Sequence, residues 1–504
     1  MDSVDVLVVG SGPAGSTAAR FAAEKGASVM FIERRPEVGV PVRCGEFMPG
    51  MGEIMDMFPN LIDADEIFDI PQELRCLDTV GIKLVNPKGK VTLLDFEGYT
   101  TDRDRFDQYL ARQAQEAGAV LETSCLFKGI RDGVAETSKG DIKYKVIIGA
   151  DGPGSRVAQS LGLNRNRNPY PAVTAQVKGD FEPYLYMFFG DIAPGAYSWI
   201  IPKDGRANVG VGFSPRFAHG NLGEYFDTFA RKNGFEEHSK LEGKYVPSEG
   251  PIAKTVSGNG MVVGDAAGQV ISVNGGGIPL ALIAGRVCGR VAAANIASSS
   301  PLADYETEWR RIMEKPLKTA ASNKKLADTF AFRSEFSTNL CMGILGKRRM
   351  GNLIRCKRIF PRSLLPVPAH RRPAYRAFRH LLLEPLAASD ALVVPSGDLR
   401  DALHADRLER YAEHAADVLY GVVVAPDLPV HVERQSNHGD VNGGQPPAVA
   451  CFFRCLHHLL HGCVGAVGDA DHVGPECQAG VLVDLQLPDD SRRADVVALG
   501  QRIH

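Results

Sequence analysis

Val8-Val9-Gly10-Ser11-Gly12-Pro13-Ala14-Gly15, with Glu33 eighteen positions after Gly15, decides the fold of this chain. Val4 to Val9 is short and mostly apolar, as suits a central parallel strand covered on both faces. Gly10 permits a tight turn, Gly12 lets backbone approach phosphate oxygens, and Gly15 lets the next helix pack close to the strand. Ser16 to Lys25 is Ala-rich and reads as that helix, Gly26 ends it, and Ala27 to Glu33 reads as a second strand. Glu33 then presents a carboxylate where a ribose can donate to it. A glycine triplet alone reads as an ordinary turn; strand, helix, strand and acid in register read as a dinucleotide site.

Composition bounds the rest. The 504 residues suffice for two or three domains, and a net charge of −3 gives no sign of a nucleic-acid binder. No run of 18 or more apolar residues stands out, and the glycine-turn strand begins so near Met1 that no targeting segment is expected. Ten cysteines spread over the whole length fit a reducing cytoplasm better than a disulfide framework. Composition changes near Pro361: 11 of the 13 histidines follow it, and no lysine follows Lys357.

The expected architecture is α/β, a Rossmann-like sheet interrupted by an antiparallel one. The discontinuous nucleotide domain takes 1–165 and 256–300, including an inserted hairpin at 78–98 turned at Asn86-Pro87-Lys88-Gly89. Residues 166–255 form the antiparallel sheet, with a last strand expected within 245–256. Residues 301–362 read as helical, and 363–504 as a tail of unknown structure.

Two further strand ends carry chemistry. Ile148-Gly149-Ala150-Asp151-Gly152 ends a strand on an acid, which also reads as a helix N-cap. Met261-Val262-Val263-Gly264-Asp265 delivers a second acid to the carboxyl edge of the sheet, where ligands of open α/β sheets sit. Ten residues later Gly275-Gly276-Gly277-Ile278 opens a helix whose first amides are free for an electron-rich ring edge.

These elements, in this order, resemble the FAD-dependent reductases and monooxygenases of the p-hydroxybenzoate hydroxylase fold. Within that class the chain resembles the geranylgeranyl reductase family, in particular the archaeal digeranylgeranylglycerophospholipid reductases. Pro41-Val42-Arg43-Cys44-Gly45-Glu46, the helix start at Asp102-Arg103 and Tyr197-Ser198-Trp199-Ile200-Ile201-Pro202 carry the likeness over about residues 1–360. Ile201 stands where the family commonly has Phe.

The resemblance implies FAD as cofactor. Gly10, Gly12, Ala14 and Gly15 would border its pyrophosphate and Glu33 would hold the adenosine ribose. Cys44, Gly45, Arg103, Asp151 and Asp265 would line the flavin and its linker, and Gly277 and Ile278 would present amides to the ring. It implies reduction of an isoprenoid double bond, with hydride delivered from reduced flavin to one carbon and a proton to the other. Cys44 is the candidate catalytic group, and it reads equally as a buried apolar thiol. Tyr197 and Trp199, two apart in an extended segment, share one face and would wall a prenyl channel; ordinary core packing is the alternative.

Met48, Met51, Met55 and Met57 are candidates for the facing wall, and they read equally as helix or loop core. Lys347-Arg348-Arg349 and Arg355 to Arg358 form a basic amphipathic stretch suited either to a membrane surface or to solvent. The expected partners are a prenylated lipid and an external electron donor: NAD(P)H, a ferredoxin or a reduced deazaflavin. The expected location is the cytoplasm, with peripheral contact on the inner face of the cell membrane. An aromatic monooxygenase and an electron carrier to quinone are the competing readings. The donors between Cys451 and Cys477 match no standard zinc spacing, and no metal is expected.

Overall fold

The structure is a computed structural model that describes residues 2–164, 166–218 and 220–359. The histidine-rich tail, with its Cys451–Cys477 donors, lies outside the described residues. In chain order the first half runs β1 (Asp2–Val9), α1 (Pro13–Ala23), β2 (Val29–Ile32), β3 (Phe47–Pro49), α2 (Met51–Met57), α3 (Asp65–Phe68), β4 (Arg75–Val85), β5 (Val91–Thr101), α4 (Arg103–Glu116), β6 (Val120–Glu122), β7 (Phe127–Arg131), β8 (Val134–Thr137), β9 (Ile142–Gly149) and α5 (Arg156–Ser160). The second half runs β10 (Tyr170–Lys178), β11 (Tyr184–Phe188), β12 (Ser198–Lys203), β13 (Arg206–Gly212), α6 (Leu222–Lys232), β14 (Glu242–Val246), β15 (Val256–Ser257), β16 (Gly260–Val262), α7 (Ile278–Ser298), α8 (Ala303–Trp309), α9 (Lys315–Leu326) and α10 (Glu335–Ile354).

Two sheets result. The first has the order β15-β16-β9-β1-β2-β6, with β7 and β8 appended beside β9. Its central pairings, β16 to β9, β9 to β1, β1 to β2 and β2 to β6, are all parallel. Val6, Leu7 and Val8 are fully buried, consistent with a strand covered on both faces. The parallel order places the ends of β1, β2, β9 and β16 along one edge, so Gly10, Glu33, Ala150 and Gly264 emerge together.

The second sheet has the order β14-β10-β13-β12-β11-β4-β5-β3. Its pairings are antiparallel except β4 with β11, which is parallel from Gly81–Tyr184 to Val85–Phe188. The hairpin at 78–98 therefore belongs to this sheet and not to the nucleotide-binding one. Its turn is local, with the Asn86 and Lys90 backbones bonded at 3.0 Å, but its sheet is chosen by a partner a hundred residues away. The last strand of this sheet is Glu242–Val246, earlier than expected, and Val256–Ser257 pairs instead into the first sheet.

By length and composition α7 could cross a membrane, a feature that counting apolar runs missed because Arg286 and Arg290 interrupt it. Two thirds of its most apolar window is buried, so in this fold it is a core helix. It packs on α1 and carries the buried Arg286, whose guanidinium is held by Glu66 at 3.0 Å and the Ile62 carbonyl at 2.7 Å.

Candidate flavin site between two sheets

One cavity of about 800 Å³ runs from the carboxyl edge of the first sheet to the face of the second. Its first wall includes Gly10, Gly12, Ala14, Glu33 and Asp151, and its middle Cys44, Gly45, Arg103 and Asp265. Tyr197, Trp199, Gly277 and Ile278 complete it. Of the proposed site residues only Gly15 is absent from the wall. An added Cβ there would stand 1.8 Å from the Gly10 carbonyl oxygen, so Gly15 serves the close packing of α1.

The residues present fit an extended dinucleotide. Gly12 caps α1, and a Cβ on it would meet nothing within 4 Å, so the helix N-terminus opens onto free space. Glu33 stands just past β2, with Ser11 Oγ donating to it at 3.1 Å and the Arg35 amide at 3.0 Å. At the far end Gly277 caps α7, whose intrahelical bonds begin with the Ala281 amide on the Gly277 carbonyl; the amides before it lack helical acceptors. The Ser272 hydroxyl, also on the wall, is buried with no bonding partner.

The carboxylates differ in their ties. Asp151 is committed to α5, accepting from Ser155 Oγ at 2.6 Å and the Arg156 amide at 2.7 Å, while Ser155 is the N-cap. The capping alternative thus describes its bonds, though Ser155 and not Asp151 occupies the cap position. Asp265 pairs with Lys244 of β14 at 2.7 Å. Burial works against charge on Lys244, but Asp265 outweighs it and raises the ammonium pKa. Arg103 makes a two-pronged pair with Asp107, both at 2.9 Å, which overrides burial and keeps the guanidinium charged.

Cys44 is a half-buried free thiol on the wall, and its sulfur accepts the Glu46 amide at 3.3 Å. Tyr197 and Trp199 lie edge to face at 6.0 Å, and Phe189 and Phe332 extend the aromatic row at 6.2 and 6.4 Å. Burial raises the Tyr197 phenol, whose hydroxyl donates to the Asn274 carbonyl. Of the four methionines, Met57 reaches the wall, Met48 is buried outside it, and Met51 and Met55 are exposed. Much of the basic stretch is neutralised by acids: Lys347 by Asp95, Arg355 by Glu53 and Lys357 by Asp56.

Sequence reading missed the polar group beneath Cys44. Glu46 and Lys203 are each 1 % exposed in their side chains and pair at 2.7 Å. Lys203 also reaches Asp102 at 2.8 Å, and Arg206 meets Asp102 at 2.7 Å. Burial would raise Asp102, but bonds from Lys203 and Arg206 prevail and hold it down at about 2. Gln176 and Asn208 donate to Glu46 at 2.6 and 2.8 Å. A lysine ending the apolar β12 and an asparagine inside the mostly apolar β13 were the available signal.

Comparison with known proteins agrees with this geometry. Residues 170–245 match the profile of the geranylgeranyl reductase catalytic domain, and residues 5–41 that of FAD dependent oxidoreductases. The digeranylgeranylglycerophospholipid reductase of Methanocaldococcus jannaschii is 35 % identical over 336 residues, 61 % of this chain and 83 % of that protein. Its counterpart from Methanosarcina acetivorans is 34 % identical over 346 residues, 61 % of this chain and 81 % of the relative. Among solved structures, a geranylgeranyl bacteriochlorophyll reductase-like protein of Thermoplasma acidophilum superposes with a TM-score of 0.61 at 30 % identity, covering 68 % of this chain and 91 % of that one. A flavin-dependent brominase shares the fold at a TM-score of 0.54 and 18 % identity, covering 75 % of this chain and all of its own.

Proposed function

The chain belongs to the geranylgeranyl reductase family, and from that membership we propose an FAD-dependent reductase that saturates the isolated double bonds of geranylgeranyl chains on archaeal-type glycerophospholipids. One observation carries the reading: a single cavity joins the Gly10–Ala14 turn and Glu33 to the Tyr197–Trp199 wall. A dinucleotide and an apolar chain can therefore meet inside it.

Reduced FAD, when bound, supplies an electron pair with one hydrogen for the alkene. The protein does the rest. Glu33 would accept from the ribose, the α1 N-terminus would hold the pyrophosphate, and the α7 N-terminus would offer amides to the ring. Tyr197, Trp199 and Phe189 confine the prenyl chain and exclude water. The second alkene carbon needs a proton. We assign that role to Cys44: its sulfur accepts the Glu46 amide, which leaves its S–H free as a donor, and the thiol lies on the cavity wall. The electron donor is proposed to be external, with NAD(P)H, a ferredoxin and a reduced deazaflavin all open.

The test is mass spectrometry of a digeranylgeranyl glycerophospholipid incubated anaerobically with reduced protein. The lipid is expected to gain two hydrogens per double bond, and an unchanged lipid mass contradicts the reading. Cys44→Ala is expected to keep its FAD and to lose about 10²–10⁴-fold in turnover, the usual worth of a positioned acid.

Bilayer contact, on the inner face of the cell membrane, is proposed at Phe336, Leu340 and Ile344, exposed at helical spacing on α10, and at Met51 and Met55 of α2. Phe332 and Met57 continue from these elements into the cavity wall. Changing Phe336, Leu340 and Ile344 to Ser is expected to abolish pelleting with phospholipid vesicles while activity on a detergent-dispersed lipid persists. Unchanged pelleting would move the contact elsewhere.

A further inference from the structure

We propose that Asn208 is a positioning residue that locks Trp199 and the Cys44 loop into one frame and so sets the gap in which the alkene is held. The inference rests on the reductase reading of this cavity.

Asn208 lies on β13 and is 0 % exposed. Its Oδ1 accepts the Trp199 indole N–H at 2.8 Å and the Thr174 hydroxyl at 2.8 Å. Its Nδ2 donates to the Cys44 carbonyl at 2.8 Å and to Glu46 Oε2 at 2.8 Å. Two acceptor and two donor sites are the whole capacity of a carboxamide, so its orientation is fixed by four partners. Cys44 and Trp199 come from segments far apart in sequence, and this one amide bonds to both.

A second constraint acts on the same ring. Trp199 pairs across the sheet with Gly210, two residues beyond Asn208 on β13. A Cβ on Gly210 would stand 2.1 Å from Trp199 Cζ2, so the indole lies directly on the neighbouring strand. Gly210 lets the ring lie flat, and Asn208 holds its N–H end. Glu46 completes the frame from the loop side. It adopts a left-handed backbone, φ 65°, in which a non-glycine residue is strained, and the donors around its carboxylate hold it there. Among the described residues no other polar side chain bonds to both the indole and the cysteine loop.

Removing the amide frees the ring and the loop to move by about 1 Å, a displacement that can cost about 10²-fold in rate without touching the reacting groups. The experiment compares full-length holoprotein with Asn208→Leu and Asn208→Ser. It reads FAD per chain, kcat and KM for a geranylgeranyl lipid, and Trp199 fluorescence. The chain has two tryptophans, so subtracting the Trp199→Phe spectrum isolates Trp199 from buried Trp309.

Both variants are expected to retain FAD, to lose about 10²-fold in kcat with KM changed far less, and to shift Trp199 emission to longer wavelength. The Asn208→Ser loss is expected to shrink when Trp199 is already Phe, since the two changes remove a shared bond. An FAD-loaded variant with kcat within about twofold of the parent and unshifted emission overturns the proposal, as does a loss of kcat that tracks loss of FAD. If Asn208→Leu does not fold, Asn208→Ser and the pair with Trp199→Phe decide. If the parent itself leaves the lipid unchanged, the reductase reading fails, while the emission shift still tests the frame.

Discussion

Gly12→Val is expected to fold and to emerge without flavin, whereas Gly15→Val is expected not to fold. The two glycines sit three residues apart in one motif, yet their surroundings differ. Gly12 has ordinary extended dihedrals, φ −69° and ψ −178°, and a Cβ there meets nothing within 4 Å. A valine at this position strains no backbone, and its methyls project into the cavity at the α1 N-terminus. The loss expected is at least about 100-fold in FAD affinity, or about 3 kcal/mol. A Cβ on Gly15 lies 1.8 Å from the Gly10 carbonyl oxygen and 3.1 Å from the Ala150 Cβ. Those atoms follow directly on β1 and β9, so the conflict is relieved only by moving α1 off its strand. Circular dichroism and flavin absorbance per chain separate the two outcomes. A Gly12→Val protein with full flavin would remove the pyrophosphate from this turn.

Lys203→Met is the second large effect. The ammonium is 1 % exposed and lies between Glu46 at 2.7 Å and Asp102 at 2.8 Å. Breaking a buried pair by deleting one partner leaves the other charge uncompensated, which costs about 3–5 kcal/mol. Methionine fills the volume, so the loss is electrostatic. The free energy of urea unfolding of the holoprotein is expected to fall by an amount in that range, seen as a lower midpoint. A midpoint unchanged within error would mean that Asn208, Gln176 and the Arg103 amide, which also bond to Glu46, hold it without the lysine. Asp102 adds a pH signature. Its pKa is depressed from 3.8 to about 2, so the stability it contributes is present above its unfolded value and is lost as pH falls towards about 2. Lys203→Met should weaken that acid-range dependence, because Arg206 alone then holds Asp102.

What could be read from the sequence was local. The turn from Gly10 to Gly15, the helix stop at Gly26 and the hairpin turn at Asn86 to Gly89 depend on a few adjacent residues whose backbone demands are specific. The membership of that hairpin depends on β4 pairing with β11, and no local signal encodes a partner a hundred residues distant. The same limit hid the frame beneath Cys44. Lys203 looks like an ordinary strand end before the Asp204-Gly205 turn, and Asn208 like an interruption in an apolar strand, until the fold brings Glu46 to them from a loop more than 150 residues earlier. Asp151 shows the converse: a strand-end acid reads alike as ligand or cap, and its bonds here go to the α5 N-terminus. The methionines part because Met48 sits on β3 and packs in the core, while α2 has two faces of which Met57 alone reaches the cavity wall.

The most direct test is a single anaerobic turnover. The holoprotein is reduced by light, freed of excess reductant and mixed with geranylgeranyl glycerophospholipid without oxygen. Oxidised-flavin absorbance is expected to return at a rate set by lipid concentration, with one double bond saturated per flavin reoxidised. Absorbance that returns only when oxygen is admitted, with every double bond intact, would contradict a reductase and leave the cavity without the reaction assigned to it.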